Sequence, residues 1–453
     1  MIFDSILDLI GDTPLVRLTK VTRGLQATVV AKLESRNPGG SVKDRIGFRM
    51  IQEAERRGLL KPGGTIIEAT SGNTGVGLAL AASRLGYRMI FTMPDKMSQE
   101  KINLLKAYGA KVIVTPTSVT ADDPRSYYSV AKRLAREIPG AFYPNQFANP
   151  ENPKAHYDTT GPEVWTATDG KITHFVAGMG TGGTMAGTGR YLKEKNKNIK
   201  LVAADPDGSI YCSVFKTGKP GEFHSYKVEG IGEDIIPATS DLSILDDVIT
   251  VSDKDAFNMA RRITREEGIL CGGSSGLAVC AALKVAESAK KGDLIVVVIC
   301  DTGERYLSKC FNDAWMEENQ YLEAHASATA FEIIMGKKES VDRFLSTTPE
   351  TPVAEVLRLM RSRELSQVPV IDHGKNVGVV GEDRLIDLLV EKADLTKTLV
   401  KDVMKEPLPE VDLYAPLEEV SRTITRKVPA VLVRLNESSF EIITKFDLLQ
   451  ERR

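Results

Sequence analysis

The chain has 453 residues, 42% hydrophobic and 26% charged, with a formal net charge of −2. This is globular material with core enough for about three units of roughly 150 residues each, and it offers no basic surface for nucleic acid or an anionic membrane. The longest purely apolar run, Leu294 to Cys300, is too short to span a bilayer, the N-terminus shows no secretory signal, and five cysteines without a Cys-x-x-Cys pair indicate neither a disulfide framework nor a zinc site, so a cytoplasmic protein without metal is expected.

Residues 1–325 read as α/β. Lys43, in Asn37-Pro-Gly-Gly-Ser-Val-Lys-Asp-Arg45, follows a turn and heads a helical run over Asp44 to Arg57. The positive end of a helix disfavours another positive charge, which makes this amine a candidate for a lowered pKa and for Schiff-base chemistry. A solvated lysine is the plain alternative. Short apolar runs then alternate with helical stretches: Thr65–Ala69, Arg88–Thr92, Lys111–Val114, Thr173–Ala177, Leu201–Ala204 and Leu294–Ile299. Each reads as a buried parallel strand, so two lobes of open twisted sheet with helices on both faces are expected, with ligands at the carboxyl ends of the strands.

Three glycine-rich loops interrupt this pattern. Thr70-Ser-Gly-Asn-Thr-Gly75 follows the first run. Its glycines admit close backbone approach and its hydroxyls and amides suit a carboxylate, although Ser71, Asn73 and Thr74 are equally good helix caps. Gly178-Met-Gly-Thr-Gly-Gly-Thr184 matches G-x-G-x-x-G at Gly178, Gly180 and Gly183, and Asp205 ends the next strand, as a dinucleotide site requires. Thr181 and Thr184 add hydroxyl donors better suited to a compact monophosphate, and the motif alone leaves both readings open. In Cys271-Gly-Gly-Ser-Ser-Gly276, Ser274 or Ser275 is a cap or a neutral hydroxyl for a ring nitrogen. A reactive lysine, a phosphate cradle, a carboxylate loop and a neutral hydroxyl together suit pyridoxal phosphate carrying an amino acid. A dinucleotide enzyme requires neither the lysine nor the first loop.

Around 320–340 the composition turns small, polar and charged, which places a linker at 326–339. Beyond it the chain echoes itself at an offset of about 60 residues. Gln367-Val-Pro-Val-Ile371 returns as Lys427-Val-Pro-Ala-Val431, and Val377-Gly-Val-Val380 as Phe440-Glu-Ile-Ile443. Two β-α-β-β-α units over 340–396 and 397–453 are expected.

Lys43 in Ser-Val-Lys-Asp-Arg, Thr70–Gly75, Gly180–Thr184 and Cys271–Ser274 resemble, in order and spacing, the motifs of fold-type II pyridoxal phosphate enzymes over roughly residues 1–320. Asp205-Pro-Asp-Gly-Ser209 and Glu229-Gly-Ile-Gly-Glu-Asp-Ile-Ile-Pro237 are similar to the cystathionine β-synthase group. The C-terminal repeat resembles its tandem CBS-domain module, an α+β element that simple cysteine synthases lack. The resemblance implies that Lys43 holds pyridoxal 5'-phosphate and moves protons at the α-carbon. It implies that Asn73 bonds the cofactor's phenolic oxygen, that Gly180, Thr181, Gly182, Gly183 and Thr184 hold its phosphate, and that Ser274 faces its ring nitrogen. Thr70, Ser71, Thr74 and Gln146 are expected on the substrate carboxylate, and Glu229, Gly230 and Gly232 at the second substrate. The implied reaction is β-replacement of the serine hydroxyl by homocysteine, giving cystathionine.

A cysteine synthase using O-acetylserine or O-phosphoserine with sulfide shares every cofactor residue. A silenced sensor of adenosine ligands is the alternative from another class. Phe147 stands where such β-synthases often carry Tyr. No haem-ligand segment precedes the catalytic region, so no haem is expected. Thr444 and Asp447 resemble a ribose-gripping pair for S-adenosylmethionine or AMP, whereas the first repeat has Gly381-Glu-Asp-Arg384 at the matching place. A homodimer or homotetramer is expected.

Overall fold

Runs rich in Val and Ile become strands, and the central ones, such as Thr65–Ala69 and Leu294–Ile299, are buried on both faces. In chain order these are β1 (Leu15–Arg17), β2 (Thr28–Leu33), β3 (Thr65–Ala69), β4 (Arg88–Pro94), β5 (Lys111–Thr115), β6 (Ala141–Phe142), β7 (His174–Gly178), β8 (Lys200–Pro206), β9 (Asp247–Val251) and β10 (Leu294–Ile299). The computed structural model describes residues 2–70, 72–120, 122–322, 329–336, 344–425, 428–436 and 439–450. It divides into two compact units, residues 1–322 and 323–453. Among the described residues no helix is long and apolar enough to cross a membrane.

The first unit holds two open sheets. One runs β1-β2-β10-β7-β8-β9, the other β5-β4-β3-β6. All pairings are parallel except β1 with β2. The expected strands are all present, and the glycine loops follow the carboxyl ends of β3 and β7. The helix Gly273–Ser288 is apolar almost throughout and packs against the larger sheet.

Helix Lys43–Arg56 begins at Lys43 itself, one residue earlier than the sequence suggests. It meets helix Asn73–Leu85 backbone to backbone. A Cβ at Gly47 would fall on the Gly77 carbonyl carbon, and one at Gly77 on the Lys43 carbonyl oxygen. Behind this contact Arg45 enters a buried cluster. It bonds Glu34 at 2.7 and 2.8 Å and Glu163 at 2.6 and 2.7 Å, and Lys32 closes on Glu163 at 2.5 Å. Burial alone would raise Glu34, but Arg45 and Lys32 outweigh it and hold the carboxyl at about 2. Two cations and two anions thus satisfy one another where a lone charge would be costly.

In the second unit β11 (Gln367–Asp372) pairs antiparallel with β12 (Lys375–Gly381), and Thr347 bridges Val370 in parallel. Further on, β13 (Glu410–Asp412) pairs in parallel with β14 (Ala430–Arg434), which pairs antiparallel with β15 (Phe440–Thr444). Helices Val353–Arg363 and Glu382–Val390 in the first half match Leu417–Thr423 and Lys445–Gln450 in the second. Both halves therefore follow one element order, with β13 in the place of the Thr347 bridge.

Candidate active site

The loops beyond the strand ends of the first unit enclose a cavity of about 550 Å³. Lys43, Asn73, Thr74, Gln146, Thr181, Thr184, Glu229, Gly230, Gly232 and Ser274 all line it. Ser71 lies outside the described residues.

The Lys43 side-chain amine makes no hydrogen bond or ion pair among the described residues. Burial lowers its pKa, against the opposing pull of Cys300, Asp301, Glu34 and Glu233. The main cause is therefore enclosure, where the sequence pointed to the helix start. A buried amine whose charged form is disfavoured, standing beside open space, suits a nucleophile and a proton carrier.

Thr70 is fully buried, and its hydroxyl accepts from the Gly72 and Gly75 amides at 3.0 and 3.1 Å. It braces its own loop. Thr74 donates to Gln146 Oε1 at 2.5 Å, and the Gln146 amide donates to the Ala69 carbonyl at 3.1 Å. The Asn152 amide donates to the Gln146 carbonyl at 2.8 Å and to Thr181 Oγ1 at 2.9 Å, which ties the first loop to the second. Beneath them buried Glu68 accepts from the Asn145 amide at 2.7 Å, and burial pushes it up to about 8.

The second loop opens helix Gly183–Lys195 through Gly182 at φ 78°, and no side chain caps this start. A Cβ at Gly182 would strike Ser240 Oγ, and one at Gly183 would strike Asn152. Free first-turn N–H groups, the helix dipole and the Thr181 and Thr184 hydroxyls form a donor set suited to a phosphate dianion. The residues present therefore fit pyridoxal phosphate. Behind Thr184, His156 Nε2 lies 3.2 Å from its hydroxyl, and Nδ1 lies 2.9 Å from Thr160 Oγ1. Burial, then Arg45 and Lys43, push His156 down to about 3, so it is neutral here.

The neighbours that hold several of these residues, Asp301, Arg305, Tyr306, Lys101 and Lys309 among them, were not singled out from sequence. The Asn73 amide donates to Asp301 Oδ2 at 2.7 Å, and Arg305 donates to Asn73 Oδ1. Tyr306 donates to the same Asp301 oxygen at 2.6 Å. Asp301 lies two residues beyond β10, and an acid at the carboxyl end of a parallel strand was the available signal. Phe147 lines the cavity with its ring edge-on to Tyr128 at 5.3 Å. Glu229 is held by Lys101 and by Lys309, each at 2.7 Å. Burial works against its charge, but the two lysines prevail and its pKa is lowered. The Gly232 amide donates to the Met179 carbonyl at 2.6 Å, latching this segment to the phosphate-type loop.

In the second unit Thr444 and Asp447 close on each other. The Thr444 amide and hydroxyl donate to Asp447 Oδ2 at 2.7 and 2.8 Å, the geometry of a helix cap.

Comparison with known proteins agrees with this geometry. Residues 6–301 match the family described as pyridoxal-phosphate dependent enzyme, and residues 339–391 match the CBS domain. Cystathionine β-synthase of Dictyostelium discoideum is 40% identical over 99% of this chain and 92% of its own length. Cysteine synthase of Staphylococcus aureus is 48% identical over 67% of this chain and 96% of its own length. Among solved structures, an O-acetylserine dependent cystathionine β-synthase from Helicobacter pylori is 41% identical with a TM-score of 0.63, covering 68% of this chain and 98% of that one. A hydrogen sulfide-producing enzyme from Fusobacterium nucleatum has the same identity and TM-score, covering 68% of this chain and all of that one.

Proposed function

The chain belongs to the pyridoxal-phosphate dependent enzyme family, in its cystathionine β-synthase group, and we propose that it condenses serine with homocysteine to give cystathionine and water. One observation carries the reading: a single cavity joins a lysine amine without a partner among the described residues, a phosphate-type cradle and a Thr74–Gln146 pair suited to a carboxylate. The bound cofactor supplies the electron sink for the serine α-carbon.

The chain's own residues do the rest. Thr181, Thr184 and the glycine amides hold the phosphate, and Ser274 meets the ring nitrogen with a neutral hydroxyl. Asn73, held between Asp301 and Arg305, meets the phenolic oxygen. Thr74 and Gln146 orient the serine carboxylate. Lys43 takes the α-proton and returns it after the homocysteine thiol has replaced the β-hydroxyl, which leaves as water. All five cysteines are free thiols, as suits a reducing cytoplasm. In the C-terminal unit, Thr444 and Asp447 are proposed as the ribose contacts of an adenosine ligand.

A second reading, cysteine synthesis from O-acetylserine and sulfide, is favoured by the cysteine synthase and O-acetylserine-dependent relatives. The test offers the purified holoenzyme equal homocysteine and sulfide with serine, then repeats it with O-acetylserine, and identifies the products by mass spectrometry. Cystathionine from serine supports the first reading. Cysteine as the main product, formed only from the acetylated donor, replaces it with the second.

A further inference from the structure

The cavity holds more charge than the donor amino acid and the cofactor use. Lys96 and Glu233 both line it, and neither side chain has a hydrogen-bond or ion-pair partner among the described residues. They lie within electrostatic reach of each other, yet no ion pair joins them. A basic and an acidic side chain that share a cavity and stay apart leave room for a molecule that carries both an anionic and a cationic group.

Both are held by their backbones. The Glu233 amide donates to Ser209 Oγ at 3.1 Å, and its carbonyl accepts from the Ile210 amide at 3.1 Å. The Lys96 amide donates to Thr117 Oγ1 at 3.2 Å, its carbonyl accepts from Lys309 Nζ at 2.8 Å, and its ammonium lies 5.7 Å from the centre of the Tyr226 ring. Lys43 is committed to the cofactor, and Glu229, another acid of this segment beside Asp234, is already neutralised by two lysines.

We propose that Lys96 and Glu233 form a clamp for the acceptor substrate, Lys96 taking the carboxylate and Glu233 the ammonium group of an α-amino-acid thiol. This rests on the β-replacement reading and adds the acceptor's chemical class. A bare sulfide has neither group and gains nothing from the clamp. The charged groups facing Glu233 are Asp234, Lys96, Lys43 and Asp205. Burial and Asp234 push Glu233 up to about 8, and an incoming ammonium opposes both effects.

The test is steady-state kinetics of Lys96→Gln and Glu233→Gln holoenzymes at saturating donor, with homocysteine and with sulfide as acceptors. Loss of one charge-assisted bond should raise KM for homocysteine by about tenfold or more relative to the change for sulfide. Sulfide turnover also certifies that each variant is folded and loaded. An equal rise for both acceptors, or no rise, overturns the clamp while leaving the β-synthase reading intact. Wild-type enzyme that turns over sulfide and not homocysteine overturns both.

Discussion

The amide of Asn73 donates to Oδ2 of Asp301 across 2.7 Å, and this one contact joins the first glycine loop to the end of β10. Asp301 is fully buried, and among the described residues its other oxygen has no partner, so its hydrogen bonds go to Asn73 and Tyr306. Asp301→Ala would leave the Asn73 side chain held by Arg305 alone. Pyridoxal phosphate should then bind about tenfold more weakly, the worth of one charge-assisted hydrogen bond. Fluorescence titration of apoenzyme measures it. Unchanged cofactor affinity would make Asp301 a purely structural residue.

The backbone contact between helices Lys43–Arg56 and Asn73–Leu85 leaves no space for a methyl group. Gly77→Ala should destabilise the first unit by about 1–3 kcal/mol through overpacking. It should also displace Lys43, lowering kcat more than cofactor affinity. Urea unfolding and turnover of the same preparation check both, and a variant with normal kcat would show that the helices simply spread.

Arg45 is the hub of the buried charge cluster, so Glu163→Ala should cost about 3–5 kcal/mol by leaving Lys32 and Arg45 undercompensated. The Glu34 carboxyl is depressed in the fold to about 2 from an ordinary value of 4.5. Its stabilisation is therefore complete above about pH 4.5 and is lost as pH falls through about 2. Acid unfolding of wild type against Glu34→Gln should show the two curves converging in that window.

His156 acts in the same direction over a higher pH window. Its folded pKa of about 3 lies below the ordinary 6.5, so the unfolded chain takes a proton that the native one refuses. Stability falls as pH drops from about 6.5 towards 3, by up to about 1.4 kcal/mol per pH unit. His156→Gln should be less stable at pH 7.5, through lost packing, yet flatter across that range. Thermal unfolding at several pH values reads the difference, and parallel profiles would remove His156 from the acid response.

In the second unit Asp447, in the first turn of helix Lys445–Gln450, accepts from the capping residue Thr444. Asp447→Ala should cost about 1 kcal/mol as a lost cap. If the carboxylate also grips a ribose, it should abolish any rise in unfolding temperature caused by S-adenosylmethionine or AMP in the wild type. A wild-type protein whose unfolding temperature neither ligand moves would leave Asp447 as a cap alone.

The parallel strands, the family and the loops around Lys43, Asn73, Gly180–Thr184 and Ser274 were legible in the sequence. Buried parallel strands are continuous β-branched runs, and glycine-rich turns must stay local to let backbone approach a ligand. Asp301, Lys96, Glu233 and His156 were not legible, because each acquires its role from residues distant in the chain. Asn73 and Asp301 are 228 residues apart, and Glu229 and Lys101 are 128. The order of elements and the type of chemistry were thus determined by local sequence. Which charges are neutralised and which stand free in the cavity was decided only by the tertiary structure, since a carboxylate's availability depends on the cations that folding brings within about 3 Å of it.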